Sequence, residues 1–281
     1  AAKLDAAVRA VHTARETLQA ALDEQLPSSL RESPAALHEA RSQLDLALFR
    51  ALHQVLSPLY LEAHGKDIHQ LAQQCHLLRC MLPCDVNQLP RDVWLLPEPK
   101  KEAAATADDD DDGYGRFREC GVSDAHLPYA SAIQLLRTIS FYRTPSEKAQ
   151  VLLEACEEIV KCATRARKLS QSSQIGGANG GGGGGSSTAL GADDLLPLVV
   201  YVVLRSKVAS LPAELSFVAE FLGSGLQYGR EGYALVSLQC ANRVALEVSW
   251  GCGLLLGATA RGVAASAEEQ SATPDVSDAS T

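Results

Sequence analysis

Apolar positions recur along the chain with a helical period, broken by two stretches of different character. Leu4, Val8, Val11, Leu18 and Leu22 fall at helical spacing, with Asp5, Arg9, Glu16 and Asp23 on the opposite face, and predict one amphipathic helix. Arg15 sits inside that stripe and interrupts it. Leu26-Pro27-Ser28-Ser29 ends the helix, and Ser33-Pro34 opens another with a capping hydroxyl and a first-turn proline. From Pro34 to Leu56 the pattern is long and helical, with Leu44, Leu48, Leu52 and Val55 expected in the core, and Ser57-Pro58 predicts its end. A further helix is expected over Ile68 to Met81, stopped by Pro83.

Pro128 to Tyr142 reads as a helix with Ile133, Leu136 and Ile139 on one face. Thr144-Pro145-Ser146-Glu147 then forms a capping box, Thr144 facing Glu147 three residues on. The helix it opens runs through Val151, Leu152, Ala155, Ile159 and Cys162 towards Arg167. Leu211-Pro212 starts a short helix ending near Leu222-Gly223. Glu231-Gly232-Tyr233 opens the last one, with Leu235, Leu238, Ala241, Ala245 and Val248 on its buried side. No alternating strand pattern competes, so the predicted fold is all-α, a layered helical bundle.

One helix differs from the rest. Leu195 to Leu204 is apolar on every face, which predicts a helix buried among others. Asp194 is expected as its N-cap and Pro197 at its third position, where a missing N–H costs little. Asp193 is then a carboxylate at the mouth of a core helix with no local duty.

The two interruptions predict flexible insertions at residues 97–124 and 171–190. The first carries Pro97-Glu98-Pro99 and Asp108 to Asp112, acidic and small. Asp108, Asp110, Asp112, Gly113 and Glu119 meet the ligand spacing of an EF-hand calcium loop. Five consecutive aspartates satisfy that spacing automatically, the flanks are poor helix formers, and Gly115 stands where an apolar residue usually closes such a loop. The second interruption holds the glycines Gly180 to Gly185; it lacks the Gly-Lys-Ser/Thr ending of a phosphate loop and reads as a linker. Beyond Trp250, residues 251–281 read as a tail of fading order.

Charge and cysteine content narrow the function classes. The 281 residues carry a net charge of −9, which argues against nucleic acid and against anionic lipid bound through the body of the fold. The longest apolar run is about half of a membrane span. The chain begins at Ala1 and is expected to be a fragment of something longer. Its eight cysteines, Cys75, Cys80, Cys84, Cys120, Cys156, Cys162, Cys240 and Cys252, form no CxxC pair. Cys75, His76, Cys80 and Cys84 cluster without a zinc spacing, so reduced thiols packed as small apolar residues are expected, with no metal and no cofactor. His64, His69 and His76 read as surface or partner-satisfied histidines.

The stretch Gly191-Ala192-Asp193-Asp194-Leu195-Leu196-Pro197 and the motifs around it resemble the Vps-nine domain, an exchange-factor domain acting on Rab-five-type GTPases. Gly229-Arg230-Glu231-Gly232-Tyr233 resembles the Gly-Tyr segment opening that family's last helix, and Thr144-Pro145-Ser146-Glu147-Lys148 its Pro-x-Glu-Lys start. Ser57-Pro58-Leu59-Tyr60 with Lys66-Asp67 resembles its first inter-helix turn. The resemblance runs from about Leu44 to Trp250. It implies an N-terminal helical extension over 1–33 and a Vps-nine-like domain over 34–250.

It also implies a function: release of guanine nucleotide from an early-endosomal Rab-five-type GTPase, by a cytoplasmic protein peripheral on early endosomes. Asp193 matches the family's acidic finger, which enters the nucleotide site, repels magnesium-bound phosphate and attracts the freed lysine. Tyr233 matches the tyrosine that contacts the switch regions, and Pro197 the signature proline. Leu196, Val200 and Leu235 are expected to line an apolar groove for the switch side chains. Val236 stands where many members carry Thr, and Ser237 is one residue out of phase. The alternatives are an interaction scaffold of the same fold with weak or no exchange, and a calcium-regulated module.

Overall fold

The computed structural model describes residues 2–77, 128–174, 192–223, 226 and 228–247. Its helices are α1 (Ala2–Gln25), α2 (Ser28–Arg31), α3 (Pro34–Ala63), α4 (Gly65–Leu77), α5 (Ala130–Arg137), α6 (Pro145–Gln174), α7 (Ala192–Ser206), α8 (Leu211–Phe221) and α9 (Arg230–Glu247). A single 3-10 turn, Ile139–Phe141, follows α5. Among the described residues there is no strand, and the protein is an all-α helical bundle. No described helix is long and apolar enough to cross a membrane. The aspartate run, the glycine run and residues 248–281 lie outside the described residues, as do Cys80, Cys84, Cys120, Cys252 and Val248. Of the stretch read as a second linker, residues 171–174 continue α6 as helix.

The core is built around α7. Leu198, Val199, Val200, Tyr201, Val202, Val203 and Leu204 are all buried, as an all-round apolar helix requires. Helices α4, α5, α6 and α9 pack around it, and α8 joins the same core through α6 and α9. Together with Ile139 of the 3-10 turn they contribute Leu71, Ile133, Leu136, Leu152, Ile159, Leu215, Leu238 and Ala241 among others. Arg137 closes the far end of α7: its Nε donates to the Ser206 carbonyl at 3.0 Å and an Nη to the Arg205 carbonyl at 3.3 Å. That satisfies orphan carbonyls and sets a cation at the negative end of the helix.

A second apolar cluster joins α1 and α3 to α8 through Val11, Phe49, Leu56, Tyr60, Ala213, Phe217 and Phe221. Its aromatic members meet edge-on, with Phe49–Phe217 centroids 6.1 Å apart and Tyr60–Phe217 5.5 Å apart. Helix α8 is therefore the shared wall. Leu211, Leu215 and Val218 face the main core, while Ala213, Phe217 and Phe221 face the α1–α3 hairpin. Arg15, which interrupted the α1 stripe, points at α3: its Nε donates to Asp45 at 2.9 Å, and its guanidinium lies 6.0 Å from the Phe49 ring centre.

One proline does not act as the breaker it was expected to be. Pro58 was expected to end the third helix, yet α3 runs through it to Ala63. The helix loses one backbone bond there but carries both Leu56 and Tyr60 into the aromatic cluster, and burial of those side chains outweighs the missing bond. The resemblance to an inter-helix turn at Ser57–Tyr60 is corrected with it; the turn comes at His64. The stripe on α3 is phased as Phe49, Leu52, Leu56 and Tyr60, which leaves Val55 exposed rather than in the core.

The caps at α3 and α6 are as expected. Ser33 Oγ accepts from the Ala36 N–H at 3.4 Å. Thr144 Oγ1 accepts from the Glu147 N–H at 3.2 Å, and Glu147 Oε2 accepts from the Thr144 N–H at 3.3 Å, closing the capping box. Beside it lies a buried ion pair. Lys148 Nζ donates to Glu214 Oε2 at 2.6 Å and to the Ile139 carbonyl at 2.9 Å, with the lysine 1% exposed.

His53 lines a small cavity with Tyr60, Lys148, Glu214 and Phe217. Burial, and then the Lys148 charge, hold its imidazole below the ordinary value of 6.5. The folded state therefore binds this proton less tightly than the unfolded chain does. Its contribution is intact above about pH 6.5 and is drained as the pH falls below that value. Urea midpoints measured at descending pH should fall through this window, and His53→Gln should flatten that part of the profile. An unchanged profile in the variant would show that other groups carry the acid sensitivity.

Candidate functional site

Three elements meet at one end of the bundle: the start of α7, the start of α9 and the middle of α6. Helix α7 begins at Ala192, three residues earlier than the capping pattern at Asp194 predicts. Both Asp193 and Asp194 thus fall in the first helical turn, where a carboxylate is favoured by the macrodipole rather than required as a cap. Pro197 lies in the helix interior and not at its third position, so it cannot donate to the Asp193 carbonyl. Helix continues across it because the run Leu198 to Leu204 is wholly buried.

The expected site residues separate into two layers. Leu196 is 37% exposed, Tyr233 60% and Val236 56%, so these three present apolar or aromatic surface to solvent. Pro197 is buried. Val200 is 1% exposed and Leu235 5%, and both belong to the main core. The expectation that Val200 and Leu235 line a surface groove is corrected: one lies a turn inside α7, the other points inward from α9, and they support the surface from beneath. Ser237 does not stand in for the missing threonine, since its Oγ donates to the Tyr233 carbonyl at 2.8 Å within the helix.

A cleft that shares Tyr233 with this surface, but not Leu196 or Val236, has a wall on α6 that the sequence does not assign. This open apolar cleft of about 660 Å³ is lined by Leu153, Cys156, Glu157, Val160 and Lys161 of α6, Leu195 of α7, Tyr228 and Gly229 just before α9, and Arg230, Tyr233 and Ala234 at its start. Tyr228 is almost fully exposed. Burial pushes the Cys156 thiol up to about 12, so this cysteine serves the cleft as an apolar surface and not as a nucleophile. Charges mark the rim: Arg230 pairs with Glu157 across the cleft, and Lys161 lies 3.6 Å from Glu158. A signal for the α6 wall was present in the sequence. Leu153 and Val160 are apolar but out of phase with the buried stripe Leu152, Ala155, Ile159 and Cys162.

An all-α bundle with an apolar, charge-rimmed cleft between helix starts is suited to seating part of another protein. Residues 129–249 match the family model of the vacuolar sorting protein 9 (VPS9) domain, and this stretch of the chain is a VPS9 domain. The match begins just before α5 and so contains all three walls of the cleft, while α1 to α4 lie outside it.

Among curated proteins, VPS9 domain-containing protein 1 of Homo sapiens is 33% identical over 114 residues, 41% of this chain and 17% of that protein. GTPase-activating protein and VPS9 domain-containing protein 1 of Bos taurus is 29% identical over 106 residues, 38% of this chain and 6% of that protein. Alsin of Rattus norvegicus is 29% identical over 111 residues, 40% of this chain and 6% of that protein. The match thus spans a small part of each relative's length.

Proposed function

We propose that this chain is a guanine nucleotide exchange factor that promotes GDP release from a Rab-five-type small GTPase in endocytic trafficking, acting at early endosomes. VPS9 domain proteins are generally exchange factors for Rab GTPases. The observation that carries the reading is the exposed apolar surface of Tyr233, Val236 and Leu196, beside the helix start that bears Asp193, inside the matched domain. In this reading Asp193 is the acidic group that competes with phosphate for the phosphate-loop lysine of the GTPase and disfavours its magnesium. Tyr233, Leu196 and Val236 contact the switch regions, and the buried Pro197, Val200 and Leu235 hold the surface in shape.

Tyr233→Ala tests the docking role. A tyrosine this exposed contributes little to the core, so its loss should leave the urea midpoint close to the parent value. It should lower the rate of release of a fluorescent guanine nucleotide about tenfold, the range of an aromatic interface anchor. Equal release by variant and parent at matched folded fraction would assign the ring to covering the bundle end.

A second reading has its own support. Val236 replaces a hydroxyl that many members of the family place there, and the Ser237 hydroxyl is used internally. This favours a scaffold that binds the GTPase with weak exchange. Binding without acceleration of release would select it.

A further inference from the structure

Arg230 stands at the first residue of α9, where a cation works against the helix macrodipole. Gly229 and Gly232 flank it and add no side-chain packing to that turn, and Tyr233 projects mostly into solvent. The apolar anchorage of α9 starts with Ala234 and Leu235, which are buried in the main core, so the residues ahead of them add little apolar packing on the cleft side. Across the cleft, Glu157 of α6 meets the Arg230 guanidinium, with the arginine side chain 75% exposed and the carboxylate 31%. Glu157 lies four residues after Leu153 and three before Val160, so the pair spans the mouth between the two apolar walls. An ion pair this exposed adds little to global stability. Its consequence is local: it ties the start of α9 to the middle of α6.

We propose that Glu157 and Arg230 form a clasp that sets the width of the cleft and the orientation of the first turn of α9, and so present Tyr233 to the GTPase. Both are positioning residues, and the inference rests on the exchange reading above. The clasp acts on docking and not on the displacement of phosphate by Asp193, so breaking it raises the KM for the GTPase while kcat stays near the parent value.

The test compares the parent with Glu157→Arg, with Arg230→Glu and with the double reversal Glu157→Arg/Arg230→Glu. Hydrogen–deuterium exchange at the Tyr233, Ala234 and Leu235 amides reports the clasp without reference to activity. Release kinetics over a range of GTPase concentration report docking. Glu157→Arg should speed exchange of those amides about fivefold and raise KM by a similar factor, the ratio at the upper end for an exposed pair. The double reversal should restore both, while Arg230→Glu alone, which gains the macrodipole interaction but leaves two carboxylates facing across the cleft, should not. The urea midpoint should stay near the parent value in Glu157→Arg and lie at or slightly above it in the double reversal. Unchanged amide protection in Glu157→Arg overturns the clasp even if the parent is an active exchange factor, and so does a defect the double reversal does not repair. A parent with no release activity but with the protection loss and its rescue overturns the exchange reading and leaves the clasp standing.

Discussion

Asp193→Ala is expected to slow GTPase nucleotide release ten- to a hundredfold while leaving the fold in place. The variant removes a contact to a charged lysine, and a hydrogen bond to a charged group is worth roughly 1.5–3 kcal/mol, or about ten- to a hundredfold in rate. It also removes the negative charge that competes with phosphate, which acts in the same direction. The stability cost is small because α7 begins at Ala192, so Asp193 is a first-turn residue and not the cap. A carboxylate in a first helical turn is worth about 0.3–1 kcal/mol through the macrodipole, which bounds the expected cost. Asp194→Ala should carry the same small cost with near-normal release. The sharp division between a capping and a working carboxylate that the sequence suggested is thereby replaced by a difference in activity alone. Fluorescent nucleotide release and urea unfolding of both variants check this. A large stability loss in Asp193→Ala with normal release per folded molecule would remove the acidic-finger assignment.

The largest stability effect is expected at Lys148. Its ammonium is 1% exposed and is held by Glu214 at 2.6 Å and the Ile139 carbonyl at 2.9 Å. Lys148→Met leaves the Glu214 carboxylate and that carbonyl without their donor in a site closed by α3, α6 and α8. Breaking a buried pair from one side costs about 3–5 kcal/mol. Lys148→Met/Glu214→Leu should recover most of the loss, because the desolvated charges disappear together. Urea midpoints of the single and double variants decide it. A single variant as stable as the parent would mean that the pair lies in a wetter site than its burial indicates.

Local chemistry made much of this fold legible. The capping box at Thr144 and Glu147, the Ser33-Pro34 start and the all-round apolar run of α7 each specify their element without reference to the rest of the chain. The misreadings share one cause, since each turns on a partner distant in sequence. Pro58 reads as a breaker until Leu56 and Tyr60 are seen against Phe217 and Phe221 of α8. Arg15 reads as a defect in its stripe until Asp45 of α3 supplies its counter-charge. Pro197 reads as a helix-start proline, but the packing of Leu198 to Leu204 holds the helix on both sides of it.

The site divides in the same way. Tyr233 and Val236 are legible as surface because both lie off the inward stripe Leu235, Leu238 and Ala241 of their helix. Val200 and Leu235 were assigned to that surface although both follow the buried phase of their own helices. The α6 wall was not assigned at all. Leu153 and Val160 acquire meaning only when α9 is laid beside α6, with Glu157 and Arg230 facing across the cleft.

The measurement that bears most directly on the account is the release of fluorescent GDP from a panel of Rab GTPases by the parent chain. The account predicts saturable acceleration for a Rab-five-type member, with little effect on the others and a clear loss in Asp193→Ala. A folded chain that accelerates release from no Rab at any concentration, or that does so equally well without the Asp193 carboxylate, would contradict it.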